Sequence, residues 1–231
     1  MSNTSIGPAR KGSKMQMQNI ASTKNHQQLN RLLGDALEWI SPCKKLGYRE
    51  FQLNNPELGK RLGIPNGVFK DFWPSRQPQW DGIALGKKTK TLYLFEAKSH
   101  KGEFCLRKKG TNENNNRQIE SSIQCVANKF IEPSEWGAHS KMWCEKYYQI
   151  ANRIAFSNKM LELRTDNTKY KNVILVFLNF VNDTTWGNKM VKTKEEWDCH
   201  YKKIFREMGI KQSFHQLEKS GIRVVNFDLN K

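Results

Sequence analysis

Apolar positions along the chain follow two rhythms. Leu29, Leu32, Leu33, Ala36, Leu37 and Ile40 recur at helical spacing and predict one amphipathic helix, ended by Ser41-Pro42. Residues 48–53 alternate as a strand does, and 54–79 hold enough Pro and Gly to read as a long irregular connection. The strongest β signal comes next. Residues 80–85 and 91–97 are strand-like runs, and the Gly-Lys-Lys-Thr-Lys between them predicts an antiparallel hairpin. Residues 99–116 read as a basic, Gly- and Asn-rich loop. Helical spacing returns at Ile119, Ile123, Val126, Ala127 and Phe130, then at Trp143, Tyr147, Ala151 and Ile154. A further helix runs from Trp197 to Met208, stopped by Gly209. The continuous apolar run at 173–178 predicts a strand buried on both faces, and 222–229 a last strand. The expectation is a single α/β domain over residues 25–231, with a mixed central sheet, an antiparallel hairpin and flanking helices. Residues 1–24 show no apolar face and read as a flexible basic tail.

Composition narrows the function classes. A chain of 231 residues with seven Trp and twelve Phe can build a real core. No apolar run reaches about 18 residues and no apolar segment marks the N-terminus, which predicts a cytoplasmic protein without a membrane partner. The five Cys are odd in number and unpaired in spacing, and the five His are dispersed, so neither a disulfide framework nor a zinc site is predicted. Charge is the largest departure from average. Lys and Arg number 39 against 22 Asp and Glu, and the formal net charge of +17 predicts a polyanionic partner.

The candidate chemistry sits on the hairpin. Asp81 opens one strand, and Glu96-Ala97-Lys98, the only Glu-x-Lys triplet in the chain, ends the next. Glu96 and Lys98 are two apart on a strand and share a face. Asp81 joins that face if Leu85 pairs with Lys90, as a diagonal neighbour of Glu96 about 7–8 Å away. It points to the other face if Leu85 pairs with Thr91. Two carboxylates on one face suit a hard cation such as Mg²⁺. The plainer reading is a salt bridge at a strand end.

These residues resemble the PD-(D/E)xK nuclease superfamily. The resemblance rests on Asp81, the hairpin, and Glu96-Ala97-Lys98 after the apolar run Leu92-Tyr93-Leu94-Phe95, and it covers roughly residues 26–130. It implies a restriction-endonuclease-like fold and a Mg²⁺-dependent endonuclease, with Mn²⁺ as a substitute, acting on DNA in preference to RNA. Asp81, Glu96 and the Ala97 carbonyl are then metal ligands, and Lys98 orients water. A first-helix acid is also implied: Glu38, with Asp35 second. Trp80, not Pro, precedes the Asp, with Pro78 displaced, and neither Gln118 nor Gln124 is followed by a Tyr four residues on. Lys87, Lys88, Lys90, Lys101, Arg107, Lys108, Lys109 and Arg117 lie close in sequence and are candidates for phosphate contacts beside the scissile bond. On this reading Asp81→Ala or Glu96→Ala abolishes cleavage and leaves the fold intact. A homodimer is compatible with it. The alternatives are a nucleic-acid-binding protein of the same fold without turnover, and a nucleoprotein scaffold whose charge only tracks RNA.

Overall fold

A computed structural model describes residues 7–22, 26–104 and 110–230. Its centre is a five-stranded sheet in the order β1-β2-β3-β4-β5. The strands are β1 (Leu37–Ser41), β2 (Gly82–Gly86), β3 (Thr91–Lys98), β4 (Asn172–Val181) and β5 (Ile222–Asp228). β1, β2 and β3 pair antiparallel, whereas β3, β4 and β5 pair parallel, so the sheet is mixed and changes sense at β3. β3 is buried along its whole length, and β4 along all but its first residue, as their apolar runs require in the middle of a covered sheet.

Helices cover both faces. Ile83, Leu92, Leu94, Leu175 and Phe177 pack beneath α4 (Glu113–Ala127), α6 (Tyr148–Glu162) and α7 (Lys194–Glu207). Ala84, Tyr93, Phe95, Val176 and Leu178 pack beneath α1 (Gly12–Ser22) and α2 (His26–Leu33). Shorter helices, α3 (Pro56–Leu62), α5 (Trp136–Lys141) and α8 (Phe214–Lys219), fill the periphery. Among the described residues no helix is long and apolar enough to cross a membrane.

Two sequence expectations change here. The single helix through Ile40 is instead α2 followed by β1. Gly34, at φ 72°, takes a left-handed turn that a helix interior does not hold, and the chain leaves it extended. In β1, Leu37 and Trp39 then face α1 and Ile40 faces the other side. The expected tail is in part α1, whose Met17 and Ile20 are buried. Polar residues are tolerated in it because they are bonded: Gln16 donates to Asp183 at 3.1 Å, and Gln18 accepts from the Ala9 N–H at 2.7 Å. Gly82 in β2 permits this packing, since a Cβ there would meet the Met17 terminal methyl at 2.5 Å.

Candidate functional site

The hairpin register brings the two carboxylates together. Leu85 pairs with Leu92 and Gly82 with Phe95, two steps beyond the Lys90 pairing weighed from sequence and one beyond the Thr91 pairing. Asp81, just before β2, therefore lies directly opposite Glu96 and not diagonal to it, on the face beneath α6. The Asp81 carboxylate accepts the Ala97 N–H at 2.8 Å. A strand residue turns its N–H and C=O to the same side, so the Ala97 carbonyl belongs to that edge too. Lys98 shares the Glu96 face and donates to Glu96 Oε1 at 2.5 Å.

A residue that sequence reasoning missed completes the cluster. Arg153 of α6 donates Nε to Glu96 Oε2 at 2.5 Å, Nη1 to Asn152 at 3.1 Å and Nη2 to the Gln79 carbonyl at 2.8 Å. Its guanidinium carbon lies 4.7 Å from the centre of the Trp80 ring. Glu96, Lys98 and Arg153 are 1%, 4% and 4% exposed, so the Lys98–Glu96 salt bridge of the plainer reading is present at the strand end, and it is buried. The available signal was positional: Arg153 sits in a run that also holds Ile150, Ala151, Ile154, Ala155 and Phe156, residues that are buried in α6. Buried charge persists only when paired.

The electrostatics divide the two acids. Burial raises the Asp81 pKa to about 7, helped by the Glu96 charge; Lys98, the Ala97 N–H and Arg153 only partly offset this. Burial also pushes Glu96 up, but the charges of Arg153 and Lys98 outweigh it and hold its carboxyl below the ordinary range. Burial pulls Lys98 down, and the charges of Glu96 and Asp81 more than reverse this, so it stays protonated. A protonated Lys98 donates hydrogen bonds and positive charge; it is not a base.

Around this centre lie further polar groups at the carboxyl ends of the parallel strands. Lys98 pairs in register with Asn179 of β4, and Asn179 with Asn226 of β5. Asn179 is fully buried, and its Oδ1 has no hydrogen-bond partner. Burial first, then the charges of Glu96 and Glu103, raises the Tyr201 pKa well above its ordinary value.

As a metal site the donor set fits in kind. Asp81 and Glu96 are two facing carboxylates, Mg²⁺ takes one or two of these with water, and among the described residues Asp81 has no cation bonded to it. Both Glu96 oxygens are held by cations, so Arg153 or Lys98 must release one before that carboxylate turns toward a metal. Among the described residues no group of three or more His, Cys, Asp or Glu could hold a metal ion.

The other sequence candidates are dispersed. Glu38 is on β1 and not on a helix; it pairs with Leu85 at the hairpin-turn end and bridges to Arg61 at 3.2 Å. Asp35 is at that end as well, binding Thr89 and the Lys88 N–H, where it braces the turn. Neither reaches Glu96, because the strands run the other way from the turn. Lys87, Lys88 and Lys90 are exposed at that turn. Lys90 is about 20 Å along β3 from Glu96 at about 3.3 Å per residue, which removes these lysines from the neighbourhood of the acid pair. Lys101 pairs with Glu196 at 3.1 Å, and Arg117 of α4 donates to Asn114 at 2.7 Å. Arg107, Lys108 and Lys109 lie outside the described residues. Comparison of the chain with protein-family models, with curated proteins and with solved structures gives no match.

Proposed function

We propose that the protein is a divalent-metal-dependent nuclease with a restriction-endonuclease-like arrangement, hydrolysing phosphodiester bonds in DNA in preference to RNA. The observation that carries this reading is Asp81 directly opposite Glu96, with Lys98 bonded to Glu96 on the same buried face. Asp81 and Glu96, with the Ala97 carbonyl, would hold Mg²⁺ or in its place Mn²⁺, which supplies polarisation of water and neutralisation of charge on the phosphoryl oxygens. Lys98, kept protonated by the two acids, donates to the oxygen on which charge develops. Arg153 holds Glu96 in place until the carboxylate is needed.

The test is single-turnover cleavage of DNA at saturating Mg²⁺, with Lys98→Met beside wild type. The variant leaves Glu96 paired with Arg153, and its rate constant should drop by about 10², the scale of losing one preorganised donor. Near-normal turnover would remove Lys98 from the chemistry. No cleavage of DNA or RNA by wild type in Mg²⁺ or Mn²⁺ would remove the enzyme.

One observation favours a second reading, a nucleic-acid-binding protein of this fold without turnover: both Glu96 oxygens are already satisfied by cations. The same wild-type assay separates the two. Both share the +17 charge. Binding to DNA in EDTA should therefore weaken steeply with salt, with a log–log slope near −4 to −5 for about 5 neutralised phosphates. A flat response from roughly 50 to 200 mM salt would show that the charge serves no polyanion.

A further inference from the structure

A cleft of about 640 Å³ opens beside Arg153, between the start of α4, the start of α6 and the segment carrying Pro74 and Pro78. That volume falls in the range of about 300–1,000 Å³ typical of small-ligand sites. Three features describe what it accepts. The first is positive charge: Arg76 and Arg153 line it, and none of its described lining residues is acidic. Arg153 has five N–H donors, and its bonds to Glu96, Asn152 and the Gln79 carbonyl use three. One N–H on each terminal nitrogen remains, on a side chain only 4% exposed.

The second feature is an unanswered acceptor. Gln149 lines the same cleft; its Oε1 is buried in the wall with no hydrogen-bond partner, so the amide must turn to present it to a ligand. A buried amide oxygen left so costs about 1–3 kcal/mol, which a ligand N–H would recover. The third is flat apolar surface, from Pro74, Pro78, Ile119 and the Tyr148 ring. An anion, an N–H donor and a flat ring together describe a nucleotide.

We propose that this cleft receives one unpaired nucleotide of a nucleic-acid strand, with its phosphate on Arg153 and Arg76 and an N–H of its base on Gln149. The nucleotide is an unpaired one because a paired base would bring its partner strand into the cleft, and because thymine, the base probed below, has a single N–H that pairing uses. Every base carries at least one such N–H, so the subsite tolerates sequence. Arg153 then touches the strand through its terminal nitrogens and Glu96 through Nε, which sets the bound nucleotide beside the acid pair. The inference rests on the nuclease reading only in what the bound strand is for; binding itself needs no metal and no turnover.

The experiment measures fluorescence anisotropy of a labelled six-nucleotide oligothymidylate in EDTA, with a blunt, GC-rich duplex long enough to stay paired as the second probe. Gln149→Leu should weaken single-strand binding about 5- to 10-fold, the scale of one lost hydrogen bond, and leave duplex binding unchanged. Arg76→Ala, at an exposed position where folding is not at stake, should weaken single-strand binding by a similar factor. Unchanged single-strand affinity in both variants would overturn the proposal. So would competition by free thymidine monophosphate at concentrations equal to the oligonucleotide, which would mark a site for small nucleotides and not for a strand. Because the assay contains no divalent cation, a wild type that never cleaves leaves its outcome standing. Equally, a cleaving enzyme whose variants bind as wild type sinks the cleft and spares the nuclease.

Discussion

Glu96→Ala should lower the free energy of unfolding by about 3–5 kcal/mol, the scale of leaving buried charge unpaired. The change strips the partner from two cations at once, Lys98 and Arg153, neither more than 4% exposed. This revises the sequence expectation that Glu96→Ala spares the fold, since that expectation assumed an accessible strand end. Glu96→Gln, which keeps an acceptor oxygen, should lose less. The urea midpoint at pH 7 reads the difference. The sign with pH follows from the direction of the shift: Glu96 is held below its ordinary 4.5, so its contribution is present above that value and is lost on acidification through the lower, folded-state value. A loss under about 1 kcal/mol for Glu96→Ala would mean that solvent reaches both cations in solution.

Asp81→Asn should abolish cleavage and at the same time stabilise the protein above neutral pH. The folded-state pKa is about 7 against an ordinary 3.8, so the folded protein binds this proton more tightly than the unfolded chain does. Relative to the protonated acid, the penalty is absent below about 3.8, grows as pH rises, and is complete above about 7. At about 1.4 kcal/mol per pH unit the ceiling is about 4 kcal/mol; the partial exposure of Asp81 reduces it to about 1–2 kcal/mol. Asparagine removes the charge and keeps an oxygen for the Ala97 N–H. Thermal denaturation should show the variant about 3–6 °C more stable at pH 8, and much closer to wild type at pH 5. Mg²⁺ should raise the midpoint of wild type and leave that of Asp81→Asn unmoved, because only the native acid pair gains by binding. Equal midpoints for the two proteins at pH 8 would contradict the desolvated Asp81 beside the Glu96 charge on which the argument depends.

Much of the site's anionic half was legible because it is local. A turn of polar residues between two apolar runs announces a hairpin, and two-residue spacing puts Glu96 and Lys98 on one face. Register was less so. A short turn allows several pairings, and the one adopted has Lys90 at φ 55° and Asp35 bonded across the turn, details that the linear pattern does not carry. β1 was hidden because Leu37 and Ile40 continue the spacing of α2, and only Gly34 marks the break. α1 was hidden because two of its buried positions are glutamines, Gln16 bonded to the distant Asp183 and Gln18 to the nearby Ala9 N–H. The partner of Arg153 was illegible for a different reason: Arg153 meets Glu96 across 57 positions of chain, a contact that no local pattern encodes.

The change of sense at β3 also orders how the molecule assembles. The β2–β3 hairpin closes over a few residues and forms on the timescale of microseconds. The β3–β4 pair is parallel, so residues 99–171 must first travel out and back, carrying α4 and α6 with them. Loop-closure entropy makes that the slow event. The acid pair is local to the hairpin, whereas Arg153 meets it only once the crossover from β3 through α6 to β4 has closed. The same guanidinium that restrains Glu96 therefore also ties the helix of the crossover to the hairpin, joining the parallel half of the sheet to the antiparallel half.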